Sequence, residues 1–150
     1  MSKIEAFWAR FKEHTQQPNA KYLSDFHFEL NEKLANELLE LVLIGQKKAT
    51  SSSLNAYILE NEPLPKEGDL HIVTDFYGNP RCVIKTTAIT ILPFNEMTYD
   101  ICKREGEDDT LESWQKGHIR FFKEEAKAKN ASFSMDMPIV FEDFEVVYQE

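Results

Sequence analysis

Two cations and four hydroxyls stand almost side by side at Lys47, Lys48, Thr50, Ser51, Ser52 and Ser53, and no acid interrupts them before Leu54. Such a group can bind an anionic or carbonyl-rich ligand, or activate a hydroxyl nucleophile. The same residues also suit a plain connection. Lysines just after a helix favour its negative C-terminal end, and a Thr/Ser run is common in a solvated turn. A second cluster follows at Arg104-Glu105-Gly106-Glu107-Asp108-Asp109. Asp108 and Asp109 suit the positive N-terminus of a following helix, which leaves Glu105 and Glu107 free for other work. If Glu105 folds over the 47–53 stretch, a carboxylate, an ammonium and a hydroxyl share one cleft. That trio suffices to hydrolyse an amide or ester: desolvated Lys47 is the base, the Thr50 hydroxyl or a water attacks, and Glu105 passes a proton to the leaving group.

His118 lies four positions after Trp114, so both share a helix face with Phe121 and Phe122 nearby. It reads as a satisfied core or boundary histidine, with a catalytic role as the alternative. No second His or Cys stands at metal-ligand spacing, so no metal is expected. The chain has no GxGxxG, P-loop or GxSxG, and no nucleotide cofactor is expected either.

The elements that must position these residues follow from periodicity. Ile4, Phe7, Trp8 and Phe11 give a helix over 2–17 after a Ser2 cap, stopped at Pro18-Asn19. Phe26 and Phe28 alternate in an extended arm over 22–30. Asn31 caps a second helix whose buried stripe is Leu34, Leu38, Leu41 and Val42, and Gly45 is its left-handed stop. Residues 54–60 read as a short helix or irregular crossing, followed by a Pro-rich loop to Asp69. Strands over 70–76 and 81–92 form a hairpin through Tyr77-Gly78-Asn79-Pro80, with a bend expected near Thr86-Thr87. Asn95 is expected to cap a helix through Arg104, and Asp109 a longer one over 110–129. A final strand runs from 139 to 148. Hairpin strands separated by helices indicate α+β, most simply a small, partly open β-barrel surrounded by helices.

The 150 residues are expected to form one domain, 1–150, with 42% hydrophobic and 12% aromatic residues sufficient for a packed core. A formal charge of −9 disfavours long duplex DNA, which rewards many phosphate contacts. A pocket for one nucleoside or a short strand is compatible with it, because local field matters more than net charge. Cys82 and Cys102 lack any CxxC partner and read as reduced core thiols. With neither a signal-type stretch nor a membrane span, the protein is expected to be cytoplasmic.

The blocks LANELLELVLIGQKKATSSSL, EPLPKEGDLHIV, IKTTAITILPF, EGEDDTLESWQKGHIRFF and DMPIVFEDFEVVY, in this order after an early Phe-Trp pair, resemble the ASCH domain family. The chain is most similar to its bacterial branch of roughly this length. The resemblance implies a PUA-like barrel with a cleft beside the Gly45–Ser53 block and an association with RNA or modified nucleosides. A shorter branch removes the acetyl group from N4-acetylcytidine, and its active Lys, Thr and Glu fall on Lys47, Thr50 and Glu105, with Glu107 the neighbouring match. Lys48, Ser51, Ser52, Ser53, Tyr57, Glu107, Trp114 and His118 are then expected around the ligand, with Tyr57, Phe26 or Trp114 stacking a base. The chain departs from the branch at Phe26-His27-Phe28-Glu29, where relatives carry Trp-x-Phe-Gly, and at Asn55-Ala56-Tyr57, where an aromatic often follows the hydroxyls. The implied functions are an amidohydrolase acting on an acetylated nucleoside, a non-catalytic RNA-binding module, or a ribonuclease on single strands. The acidic charge favours the first.

Overall fold

A computed structural model describes residues 1–150, with ten main elements in α+β order. The first helix, α1 (Lys3–Thr15), is held by the expected Ser2 cap, with Glu5 completing a capping box. It buries Phe7, Trp8 and Phe11 against Ile72 and Val83 of the sheet. The arm contributes one short strand, β1 (Ser24–Phe26), and Asn31 caps α2 (Glu32–Leu43).

The sheet is where sequence and structure part most clearly. The hydroxyl run is neither a turn nor a solvated loop but a strand, β2 (Ala49–Ser53). It is followed directly by α3 (Leu54–Leu59), β3 (Leu70–Thr74), β4 (Pro80–Pro93), α4 (Tyr99–Cys102), α5 (Leu111–Ala128) and β5 (Pro138–Gln149). The five strands make one sheet in the order β1-β3-β4-β5-β2. Only β1–β3 is parallel; the other pairs are antiparallel. Long β4 shifts register between Thr86 and Ala88, at the expected bend, and the sheet curls into a half-barrel.

Two helix boundaries differ from expectation. The strand register carries past Pro93, because Phe94 and Asn95 still donate backbone bonds to Met137 and Met135. Asn95 therefore caps nothing. A single 3-10 turn covers Phe94–Glu96, α4 starts only after Thr98, and a second 3-10 turn covers Lys103–Glu105. Thr110, not Asp109, caps α5 by accepting from the Ser113 amide. In α2 the fully buried positions are Ala35, Leu39 and Val42, so the stripe is rotated from the expected one and leaves Leu34, Leu38 and Leu41 half-buried.

The main core joins Trp114 and Phe122 of α5 to Phe94, Ile139 and Phe141. Both cysteines are free and buried. Burial pushes the Cys82 thiol up to about 12 and the Cys102 thiol up to about 11, which suits reduced packing residues. No helix is long and apolar enough to cross a membrane.

Candidate functional site

Gly45 ends α2 in a Schellman turn. With φ of 82°, it lets its own amide bond to Val42 O and that of Gln46 to Leu41 O. The chain reverses there and brings Gln46 against the turn at Gly106. The Gln46 side-chain amide donates to Gly106 O at 2.6 Å, and the Lys48 amide donates to Arg104 O at 3.0 Å. Gly106 must be glycine on two counts. Its φ is 71°, and a Cβ there would lie 2.2 Å from Gln46 O. These contacts clamp the two segments together, and the clamp carries Lys47 and Glu105 into the interior side by side.

Lys47 and Glu105 are 2% and 1% exposed, so their charges have exchanged water for each other. Glu105 is a four-donor hub. Its Oε2 accepts from Ser51 Oγ and Trp114 Nε1, both at 2.7 Å. Its Oε1 lies 3.3 Å from Lys47 Nζ and 3.4 Å from His118 Nε2. The Nδ1 of His118 is 2.9 Å from Trp114 O, which can only accept, so Nδ1 carries a proton and Nε2 is the nitrogen turned to Glu105. Burial alone would drive Glu105 neutral, but His118, Lys47 and Ser51 together hold its carboxyl well below the usual carboxylate range. His118 is raised: burial opposes its charge, and the Glu105 carboxylate outweighs burial.

Lys47 spends all three ammonium protons, on Ala49 O at 2.8 Å, Glu105 at 3.3 Å and Glu107 Oε2 at 2.5 Å. Desolvation opposes its charge, yet Glu107 and Glu105 more than offset it and its pKa is raised. Lys47 at rest is thus a cation, where the sequence suggested a desolvated base. Glu107 behaves differently from Glu105. Burial and the nearby Glu105 charge outweigh the pull of Lys47 and raise its pKa, and its side chain remains 19% exposed. Of the two carboxyls, Glu107 is the one that holds a proton more readily than a free carboxylate, and it is the more exposed.

This cluster forms one end of a cleft of about 400 Å³, with Thr50 and Ser51 beside it. Leu34, Leu38 and Leu41 of α2 face the cleft, which is what their half-burial serves, and Phe121 lies among its lining residues. Arg120 reaches from α5 to Glu29 on the arm at 2.6 Å. Glu29 holds φ of 61° without being glycine, at the position where the resembled branch carries Gly.

Of the expected site residues, Lys47, Thr50, Ser51, Glu105, Glu107 and His118 come together here. Trp114 does not present a stacking face. It is fully buried, stacked at 5.3 Å on Phe94 and 4.2 Å on His118, so it positions Glu105 instead. Lys48 is exposed, and it lines another depression with Ile44 and Phe144 rather than the cleft. Ser53 points into a small hollow beside Phe122. Ser52 and Tyr57 line a second cavity that also touches Thr50. Sequence reasoning missed Glu29, Arg120 and the leucine wall. The only signal for the wall was the breadth of apolar residues on α2, more than one buried stripe requires. No three His, Cys, Asp or Glu side chains converge in metal-ligand geometry.

Residues 24–148 match the family model of the ASCH domain. An Enterococcus faecalis protein of known crystal structure superposes with a TM-score of 0.90 at 36% identity, over 97% of this chain and 88% of that one. The crystal structure of an ASCH domain from Lactobacillus crispatus superposes with a TM-score of 0.89 at 30% identity, over 98% and 95%. Among curated proteins no match is found.

Proposed function

The chain belongs to the ASCH domain family, and on that footing we propose that its cleft binds a modified nucleoside and hydrolyses an acyl group from it, as an N4-acetylcytidine amidohydrolase would. The observation that carries this reading is the unequal pair of carboxyls on one lysine. Glu105 is tied down by four donors, whereas Glu107 is half-free, with a raised pKa, on the third proton of Lys47.

Division of labour follows. Glu105 keeps Lys47 charged and in place. A substrate carbonyl oxygen displaces Glu107 and accepts the hydrogen bond that Lys47 gave it, so that the ammonium faces the oxyanion that develops on attack. Displaced Glu107 is then a base at the cleft. It accepts the proton of the attacking water and delivers it to the departing exocyclic nitrogen. Where the Thr50 hydroxyl attacks instead, the acetyl group rests on Thr50 as an ester until a water, deprotonated by the same carboxylate, releases it as acetate. The net reaction places OH on the acetyl carbon and H on N4, giving acetate and cytidine.

Charge selects the scale of the ligand. Glu29, Glu37, Glu105, Glu107 and Asp108 line the cleft against Lys47 and Arg120. An acidic cleft repels a string of phosphates, and counterion release rewards the opposite arrangement. This supports an uncharged nucleoside over an RNA strand. The test is to follow absorbance of N4-acetylcytidine with wild-type protein and with Lys47→Ala, alongside a titration with short single-stranded RNA. Loss of the acetyl signal in the wild type alone supports the proposal. Silence towards the nucleoside with salt-sensitive RNA binding would replace hydrolysis by a binding module.

A further inference from the structure

A second cavity, of about 410 Å³, shares Thr50 with the Lys47 cleft and is otherwise lined by different residues. Its polar part comes from strands far apart in sequence. His71 on β3 is only 7% exposed. Its Nδ1 lies 2.9 Å from Ser24 Oγ on β1, while its Nε2 finds no hydrogen-bond partner within the protein. The nearest acid is Glu142 on β5, with Oε2 at 3.6 Å, beyond hydrogen-bond reach, and that oxygen already accepts from Thr86 at 2.5 Å. Around this polar edge stand flat or apolar groups: Leu23, Phe26, Tyr57 and Pro63.

A buried imidazole nitrogen without a partner is uncommon, because its lost hydration is not replaced. Burial also favours the uncharged form of both groups: it lowers His71 and raises Glu142. The polar edge of the site therefore disfavours an added charge. It suits a neutral, flat molecule that brings its own donor and acceptor side by side.

We propose that this cavity binds an uncharged planar heterocycle of nucleobase type, its hydrogen-bonding edge on His71 and Glu142 and its face against Phe26 and Tyr57. Since Thr50 borders both hollows, a base seated here directs its exocyclic substituent to the Lys47 cleft. To that extent the proposal builds on the function proposed above.

Imidazole nitrogen NMR on the labelled protein, titrated with cytidine and with uridine and with ribose as control, tests it. His71→Gln assigns the His71 signals among the four histidines, and the titration itself needs only the wild type. A saturable shift of His71 Nε2 with a nucleoside and none with ribose is expected. Tyr57→Ala, on a short surface helix, should weaken that binding about tenfold, the loss of one stacking partner. An unmoved His71 at millimolar nucleoside, or an equal response to ribose, overturns the proposal. Saturable binding without turnover of N4-acetylcytidine leaves this site standing and removes hydrolysis. Turnover with His71 unmoved does the reverse.

Discussion

Lys47 and Glu105, 58 residues apart in sequence, form a buried ion pair with Nζ 3.3 Å from Oε1 and neither side chain more than 2% exposed. Removing one partner of such a pair leaves the other charge buried without compensation, which is costly. Glu105→Gln should therefore destabilise the fold by about 3–5 kcal/mol. Glu107→Gln leaves Lys47 paired with Glu105 and changes a side chain that is 19% exposed, so it should cost less than Glu105→Gln. Urea denaturation of both variants checks the ranking, and equal losses would count against a division between holder and reactant.

Trp114 reaches Glu105 through one indole proton. Trp114→Phe keeps an aromatic ring against Phe94 and deletes only that donor, so a loss of about 1–3 kcal/mol is expected from the unpaired carboxylate oxygen and the smaller ring. If Trp114 stacked substrate, the main effect would be on KM. The structure predicts a change in stability with nucleoside affinity nearly preserved, read by denaturation and equilibrium titration together.

Gly106→Ala sets both a side chain at positive φ and a Cβ against the Gln46 carbonyl. Strain of about 1–3 kcal/mol is expected from the backbone conformation alone, with more from the clash. Because the clamp positions Lys47 on Glu105, turnover should fall more steeply than stability. Gly78→Ala, where no atom lies within 4 Å of the added Cβ, serves as the comparison. Matched effects on turnover would mean that the clamp does not position the site.

His118 links the cluster to pH. Burial opposes its cation, but Glu105 raises it above the ordinary 6.5, so the folded form holds its proton more tightly than the unfolded chain. Its stabilising contribution is complete below about pH 6.5 and is lost as pH rises through the folded value. His71 has the opposite sign: burial lowers it, so its contribution is present above the unfolded value and lost as pH falls through the folded one. The raw stability curve mixes the two. Subtracting His118→Gln from wild type isolates the first, and the difference should be larger at about pH 6 than at about pH 9. A difference that grows with pH would place a neutral imidazole beside Glu105.

Much of the frame was legible in the chain. Ser2 and Asn31 act as the caps their types suggest, Gly45 makes the stop, and the β-branched run 81–92 bends where Thr86-Thr87 implied. The meeting of Lys47 with Glu105, foreseen as a condition of chemistry, is present. What escaped was anything decided across the sheet. Alternation of small polar residues hid β2, because Ser51 and Ser53 fill inward positions that sequence patterns reserve for apolar groups. Glu142 could have been noticed as an acid inside an apolar strand, yet its relation to His71 and Thr50 depends on pairing that no local signal reports. The charge states escaped for the same reason. Whether Lys47 is a base or a cation depends on how many carboxylates surround it, and the second, Glu107, was one residue beyond the turn.

Steady-state hydrolysis of N4-acetylcytidine by wild type, Lys47→Ala and Glu107→Gln, each confirmed as folded, is the most direct test of the division proposed here. Wild type should release acetate, and each variant should lose about a hundredfold or more in kcat, the usual worth of an oxyanion donor or general base. An inert wild type, or variants that turn over as fast as it does, would contradict the account.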